Sequence, residues 1–94
     1  MSDKEYIEKN RMLFEAILSL NTLEECGAFF EDLVTYNEVE SMSQRVRAAK
    51  LLLEGKTYEQ IIAETSISSA TLSRVSKCVR YGEGYKNILK RELN

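Results

Sequence analysis

Apolar residues recur along this chain at three- and four-residue steps, and no segment alternates at period two. That pattern predicts helices throughout and no strand. Tyr6, Ile7, Leu13, Phe14, Ile17, Leu18 and Leu20 predict one long amphipathic helix over about residues 4–20. Its stripe is wide enough to meet more than one neighbour. Thr22 with Glu25 forms a capping box that opens a second helix, with Cys26, Phe29, Phe30 and Leu33 on its apolar face. Gly27 either weakens that helix or permits close packing. Thr35 with Glu38 is a further capping box and opens a short helical turn to about Glu40. Residues 41–43 (SMS) read as a break with a fresh N-cap. From Ser43 a strongly helical run turns Val46, Ala49, Leu52 and Leu53 inward until Gly55 stops it. Near the end, Gly82 and Gly84 bracket a turn, and Tyr85, Ile88, Leu89 and Leu93 predict a last short helix.

Between Gly55 and Gly82 the pattern is the most informative. Residues 57–81 read as helix, tight turn, helix. Thr57 caps the first helix, with Gln60 completing a capping box. Ile61, Ile62 and Ile67 supply the apolar points that a short helix and its turn must bury. Ser68 or Ser69 caps the second helix, in which Leu72, Val75 and Val79 share one face. Ser69, Ala70, Ser73 and Lys77 lie on the opposite face. Small and hydroxyl side chains on an exposed helix front suit close approach to a large partner. The arrangement is the helix-turn-helix signature, although an ordinary αα corner carries many of the same local signals.

Composition narrows the alternatives. The 94 residues suffice for one domain, residues 1–94, with 30% charged and 44% hydrophobic positions, as in a soluble globular chain. No apolar run is long enough to span a membrane, and the polar N-terminus resembles no signal peptide. Two cysteines without a CxxC fit a reduced, cytoplasmic setting. The net charge of −2 argues at first against a nucleic-acid partner. Its distribution argues the other way. Residues 1–40 hold three basic and ten acidic side chains, net −7, and residues 41–94 hold ten basic and five acidic, net +5. A phosphate-facing surface is therefore available in the C-terminal half.

Enzymatic chemistry finds no support. Histidine is absent, and with it the commonest general base and metal ligand. There is no glycine-rich phosphate loop and no clustered acidic metal site, so no catalytic residue, metal or cofactor is expected. The serines at 66, 68, 69, 73 and 76 lack a base candidate and suit helix caps and a DNA-facing front. Arg45, Arg47 and Lys50 precede the motif, and Lys56 leads into it. Arg74, Lys77 and Arg80 line one flank of its second helix at a spacing of three. Such a row can track phosphates while residues near the helix N-terminus reach base edges. The candidate DNA contacts are therefore Lys56, Thr57, Ser68, Ser69, Ala70, Thr71, Ser73, Arg74, Lys77 and Arg80. A solvated basic face is the plain alternative.

Residues 43–82 resemble the core of the bacterial Trp repressor superfamily, and more closely its YerC/YecD-type branch from Gram-positive bacteria. The close match runs from about Thr35 to Gly82. The RVR at 45–47, the LLLEG at 51–55 and the SATLSR at 69–74 are its most specific points. The Trp repressor is itself a reference case of helix-turn-helix docking and of water-mediated base contacts. The resemblance implies an all-α fold of six helices in an interlaced homodimer, with residues 1–40 and 83–94 as dimerisation and core helices. It implies a sequence-specific transcriptional regulator, with repression the expected direction, that binds a palindromic double-stranded DNA site. Two other readings are a helical protein–protein adaptor that kept the fold but lost DNA binding, and a module like the DNA-binding end of a replication initiator.

The resemblance also implies a candidate effector pocket. Thr35, Arg45 and Arg74 match positions that contact an indole amino acid in the Trp repressor. Val75 and Cys78 stand where that protein has glycine and serine. Valine is stiff at χ1 and fills the slot a flat indole needs, and a thiol is a weaker donor than a hydroxyl. A small effector is compatible with this set, but L-tryptophan is not the expected one. At the turn, Ser66 occupies the motif's usual glycine position and is expected to carry φ > 0, at about 1 kcal/mol relative to glycine.

Overall fold

The computed structural model describes residues 3–90. They form seven helices and no strand: α1 (Asp3–Lys9), α2 (Arg11–Leu18), α3 (Leu23–Leu33), α4 (Tyr36–Leu53), α5 (Tyr58–Thr65), α6 (Ser69–Tyr81) and α7 (Gly84–Leu89). The all-α expectation holds. Leu93, expected in the last helix, lies outside the described residues. The chain divides into two compact units, Met1–Tyr36 and Asn37–Asn94.

In the first unit the single helix expected over residues 4–20 is two helices, which is why there are seven rather than six. They separate at Asn10, whose φ of −111° and ψ of 19° leave the helical region. The side-chain amide of Asn10 donates to the Tyr6 carbonyl at 2.9 Å, while its backbone N–H is shared between the carbonyls of Tyr6 (3.3 Å) and Ile7 (3.2 Å). Asparagine competes in this way with the regular helix ladder, so the backbone departs here. Arg11 bridges the break by pairing with Glu8 before it and Glu15 after it. The Arg11 guanidinium holds the Glu8 carboxyl below its ordinary pKa, and the two carboxylates raise that of Arg11. The rings of Tyr6 and Phe14 meet at 5.6 Å. Helix α3 begins as expected, with Thr22 Oγ1 accepting the Glu25 N–H at 3.0 Å. The return bond runs from the Asn21 N–H to the Glu25 carboxylate at 2.8 Å, so the box closes one residue earlier than predicted. No residue of α1, α2 or α3 is buried.

The second unit holds the core. Ala48, Ala49, Ile61, Ile67, Leu72, Val75 and Leu89 are buried together, with Leu51, Leu52, Leu53, Ile62, Val79 and Tyr85 packed around them. Helix α5 packs on α6, and α6 on α7. The break expected at residues 41–43 is absent, because α4 runs without interruption from Tyr36 to Leu53. Serine lowers helix propensity by only a few tenths of a kcal/mol, and neither glycine nor proline is present there to stop the chain. Helix phase then differs from the expectation at one position. Val46 stays 44% exposed, and Ala48 is the buried residue beside Ala49. Gly55 ends α4 as predicted, at φ 88°. Its N–H donates to the Leu52 carbonyl and that of Lys56 to the Leu51 carbonyl, both at 3.0 Å, the pair of bonds that defines a Schellman cap. Among the described residues no helix is long and apolar enough to cross a membrane.

Candidate nucleic-acid interface

The helix-turn-helix is built from local chemistry. Thr57 Oγ1 accepts the Gln60 N–H at 3.2 Å, and the Gln60 side chain accepts the Thr57 N–H at 2.9 Å. The capping box is thus complete and starts α5 at Tyr58. At the other end Ser66 takes the left-handed conformation, φ 62°, and donates its N–H to the Ile62 carbonyl at 2.9 Å. Thr65, buried, donates its hydroxyl to the Ile61 carbonyl at 2.7 Å and accepts the Ile67 N–H at 3.2 Å. Ile67 is thereby turned into the core, and the chain re-enters a helix at once. Of the two candidate caps the structure uses Ser68, whose Oγ accepts the Thr71 N–H at 3.2 Å and donates to Thr71 Oγ1 at 2.9 Å.

The face of α6 divides as its spacing predicted, except that Ser76 is buried with the apolar face rather than on the DNA-facing front. Leu72 and Val75 are buried and Val79 packs against the core, while Ser69, Ala70, Ser73, Arg74, Lys77 and Arg80 are exposed. Thr71 is half-buried, and its hydroxyl, like those of Thr57 and Ser68, is engaged in capping. Lys56 is exposed between α4 and α5. Among the described residues Arg74, Lys77 and Arg80 have no carboxylate partner at ion-pair distance. The Arg80 guanidinium lies 5.9 Å from the centre of the exposed Tyr81 ring. Three cations at a spacing of three beside a front of small and hydroxyl residues form a surface that can follow one phosphate strand.

Helix α4 contributes what local pattern reading missed. Gln44 Nε2 donates to the Thr65 carbonyl at 3.0 Å, and an Arg47 guanidinium N–H donates to the Glu64 carbonyl at 3.1 Å. Lys50 Nζ donates to the Leu89 carbonyl at 3.0 Å and so caps α7. Two of the three cations before the motif are therefore spent on helix C-termini. Their partners lie 17 and 39 residues away, beyond any local sequence signal.

The five candidate effector residues fall in both units. Thr35 belongs to the first unit and the other four to the second. Arg45 is half-buried, and Arg74 and Cys78 are exposed. Val75 is 2% exposed, its side chain part of the core. An open apolar cavity of about 520 Å³ lies beside Cys78, walled by Val46, Gly82, Tyr85, Ile88 and Leu89 among others. Val75 is not among its walls. No group of side chains able to hold a metal occurs among the described residues.

Comparison with known proteins agrees with this geometry. The model of the family "Trp repressor protein" matches residues 8–93. YerC, an uncharacterised protein of Bacillus subtilis (strain 168), is 51% identical over 80 residues, which cover 84% of this chain and 77% of YerC. The crystal structure of a candidate Trp repressor from Staphylococcus aureus superposes with a TM-score of 0.88 at 41% identity, covering the whole of both chains. A TrpR-like protein from Eubacterium eligens ATCC 27750 does so with a TM-score of 0.87 at 44% identity, over 96% of this chain and 94% of that one.

Proposed function

This chain belongs to the Trp repressor family, and we propose that it is a sequence-specific transcriptional regulator that binds double-stranded DNA as a cytoplasmic homodimer. The observation that carries the reading is the front of α6. Ser69, Ala70 and Ser73 stand exposed where a recognition helix meets base edges, beside the exposed row Arg74, Lys77 and Arg80. In this reading α5 crosses the DNA backbone and α6 enters the major groove. Arg74, Lys77 and Arg80 hold phosphates, joined by Lys56 and Thr57 at the start of the motif. The exposed apolar side chains of α1, α2 and α3 support a two-fold dimer, whose half-sites would lie about one DNA turn, ~34 Å, apart. No catalytic step belongs to this reading.

Tryptophan is not the effector in this reading. The glycine slot of the Trp repressor is occupied here by Val75, which is buried in the core. Placing an indole over it would displace core packing, at a cost on the order of 1–3 kcal/mol or more. DNA binding therefore needs no L-tryptophan, and calorimetry on the wild-type chain is expected to give no heat at physiological concentration. A smaller ligand beside Arg45, Arg74 and Cys78 is compatible with the reading.

The experiment is a fluorescence-anisotropy titration at several salt concentrations. Its probes are a duplex selected by the wild-type chain from a random pool and a scrambled duplex. Lys77→Ala and Arg80→Ala should each weaken binding to both duplexes and lower the salt slope by about one unit. Replacing Ser69, Ala70 or Ser73 should change preference instead. Equal affinity of the wild type for both duplexes would sink the claim of sequence specificity.

A further inference from the structure

The C-terminus of α5 is held by side chains from outside the motif. A helix leaves its last four carbonyls without partners in the helix, here those of Ile62, Ala63, Glu64 and Thr65. Ser66 takes the first. Arg47 takes that of Glu64 and Gln44 that of Thr65, from positions one turn apart on α4. The guanidinium also meets the negative end of the α5 dipole. Both bonds fall at the residues that enter the left-handed turn, beside a polar cavity of about 300 Å³ lined by Ser43, Gln44, Arg47, Thr65 and Ser66 with Glu40. The turn that sets the angle between α5 and α6 is therefore fixed from two sides: by Thr65 and Ser66 within the motif, and by α4.

We propose that Gln44 and Arg47 are positioning residues that aim α6, and that Arg47, although cationic and beside the motif, is not a phosphate ligand. This rests on the DNA-binding reading above. Recognition requires α5 and α6 to dock together, so a small change in the angle between them misplaces every residue at the front of α6. Scrambled DNA, held mainly through phosphates, tolerates such a change.

The test uses the full chain, the same selected and scrambled duplexes, and the variants Gln44→Leu, Arg47→Gln and Arg47→Lys. Gln44→Leu and Arg47→Gln should each lower the preference for the selected duplex about five- to tenfold, with scrambled-duplex affinity, salt slope and helical content near wild type. Arg47→Lys keeps a donor and the charge, and should restore most of the preference. Hydrogen exchange without DNA reads the clamp independently: the amides of Ser66 and Ile67 should exchange several-fold faster in Gln44→Leu and Arg47→Gln than in wild type. A loss of one unit of salt slope in Arg47→Gln, equal on both duplexes, would make Arg47 a phosphate ligand and overturn the proposal. Unchanged exchange in both variants would overturn it as well, even if the wild type bound no DNA. A wild type without sequence preference but with faster exchange in the variants would remove the DNA reading and the aiming role, leaving only the clamp.

Discussion

Leu18 in α2 keeps 83% of its surface exposed, whereas Leu72 in α6 keeps none. Both are leucines on the apolar stripe of an amphipathic helix, and the stripes read alike in the sequence. The difference lies in what each stripe meets. Residues from α4, α5, α6 and α7 close on one another around Leu72, so the second unit carries a core of its own. Around Leu18 the described residues leave the stripe open: Met12 and Leu23 are exposed to a similar degree, while the rings of Tyr6 and Phe14 meet, as do those of Phe29 and Phe30. Apolar surface left in this condition normally belongs to an interface. The unit that presents α6 thus carries its own core, whereas the other would gain stability from association in the proposed homodimer.

The largest effect tests that division directly. Leu72→Ala should cost about 2–5 kcal/mol in urea denaturation, whatever the protein concentration, because the cavity opens inside the second unit. In an isolated chain Leu18→Ala should change stability by less than ~0.5 kcal/mol. In the proposed homodimer its cost should be larger and should depend on protein concentration, because association contributes to the measured stability. Light scattering that found a stable wild-type monomer at micromolar concentration, together with a neutral Leu18→Ala, would remove the dimer.

Two glycines sharpen the contrast with opposite signs. A Cβ on Gly82 would stand 2.7 Å from the Cys78 carbonyl oxygen, a backbone atom with nowhere to move. Its φ of −96° is open to any residue, so space alone demands glycine there. Gly82→Ala should lose about 1–3 kcal/mol. Gly27 lies inside α3 with nothing within 4 Å of a Cβ. Gly27→Ala should therefore gain about 0.5–1 kcal/mol from helix propensity, roughly 2–8 °C in thermal melting for a domain of this size. A Gly27→Ala protein that melts lower and dissociates more readily would place a partner's backbone against α3.

What the sequence made legible was the chemistry that acts within a few residues. Thr57 with Gln60 and Gly55 with its cap bonds appear where their spacing put them, and Ser68 proves to be the cap of the two serines the sequence offered. The inward and outward faces of α6 were legible for the same reason. Asn10 was not, because the amide that breaks the first helix competes with a ladder that the apolar spacing otherwise favours. Ala48 was passed over for Val46 because a methyl group carries little hydrophobic signal, although it is fully buried. The bonds from Gln44, Arg47 and Lys50 join distant parts of the chain, so the sequence shows only that donors exist.

The smallest predicted effect concerns the turn itself. Ser66 sits at φ 62° and ψ 18°, a conformation that costs an L residue with a Cβ about 1 kcal/mol and glycine little. Its side chain is exposed, and the bond that caps α5 is made by its backbone N–H, which glycine retains. Against the relief of strain stands the greater freedom of glycine in the unfolded chain, which takes back roughly half of the gain. Ser66→Gly should therefore stabilise the protein by about 0.5 kcal/mol. Ser66→Val, branched at Cβ, should destabilise it by about 1–2 kcal/mol. If the clamp from α4 holds the turn in place, Ser66→Gly should leave the preference between selected and scrambled DNA unchanged, because Gln44 and Arg47 still grip the carbonyls before it. A Ser66→Gly protein that gained stability but lost preference would mean that the turn, not the clamp, aims α6. The second unit would then owe its rigidity at the DNA-facing end to the strained serine.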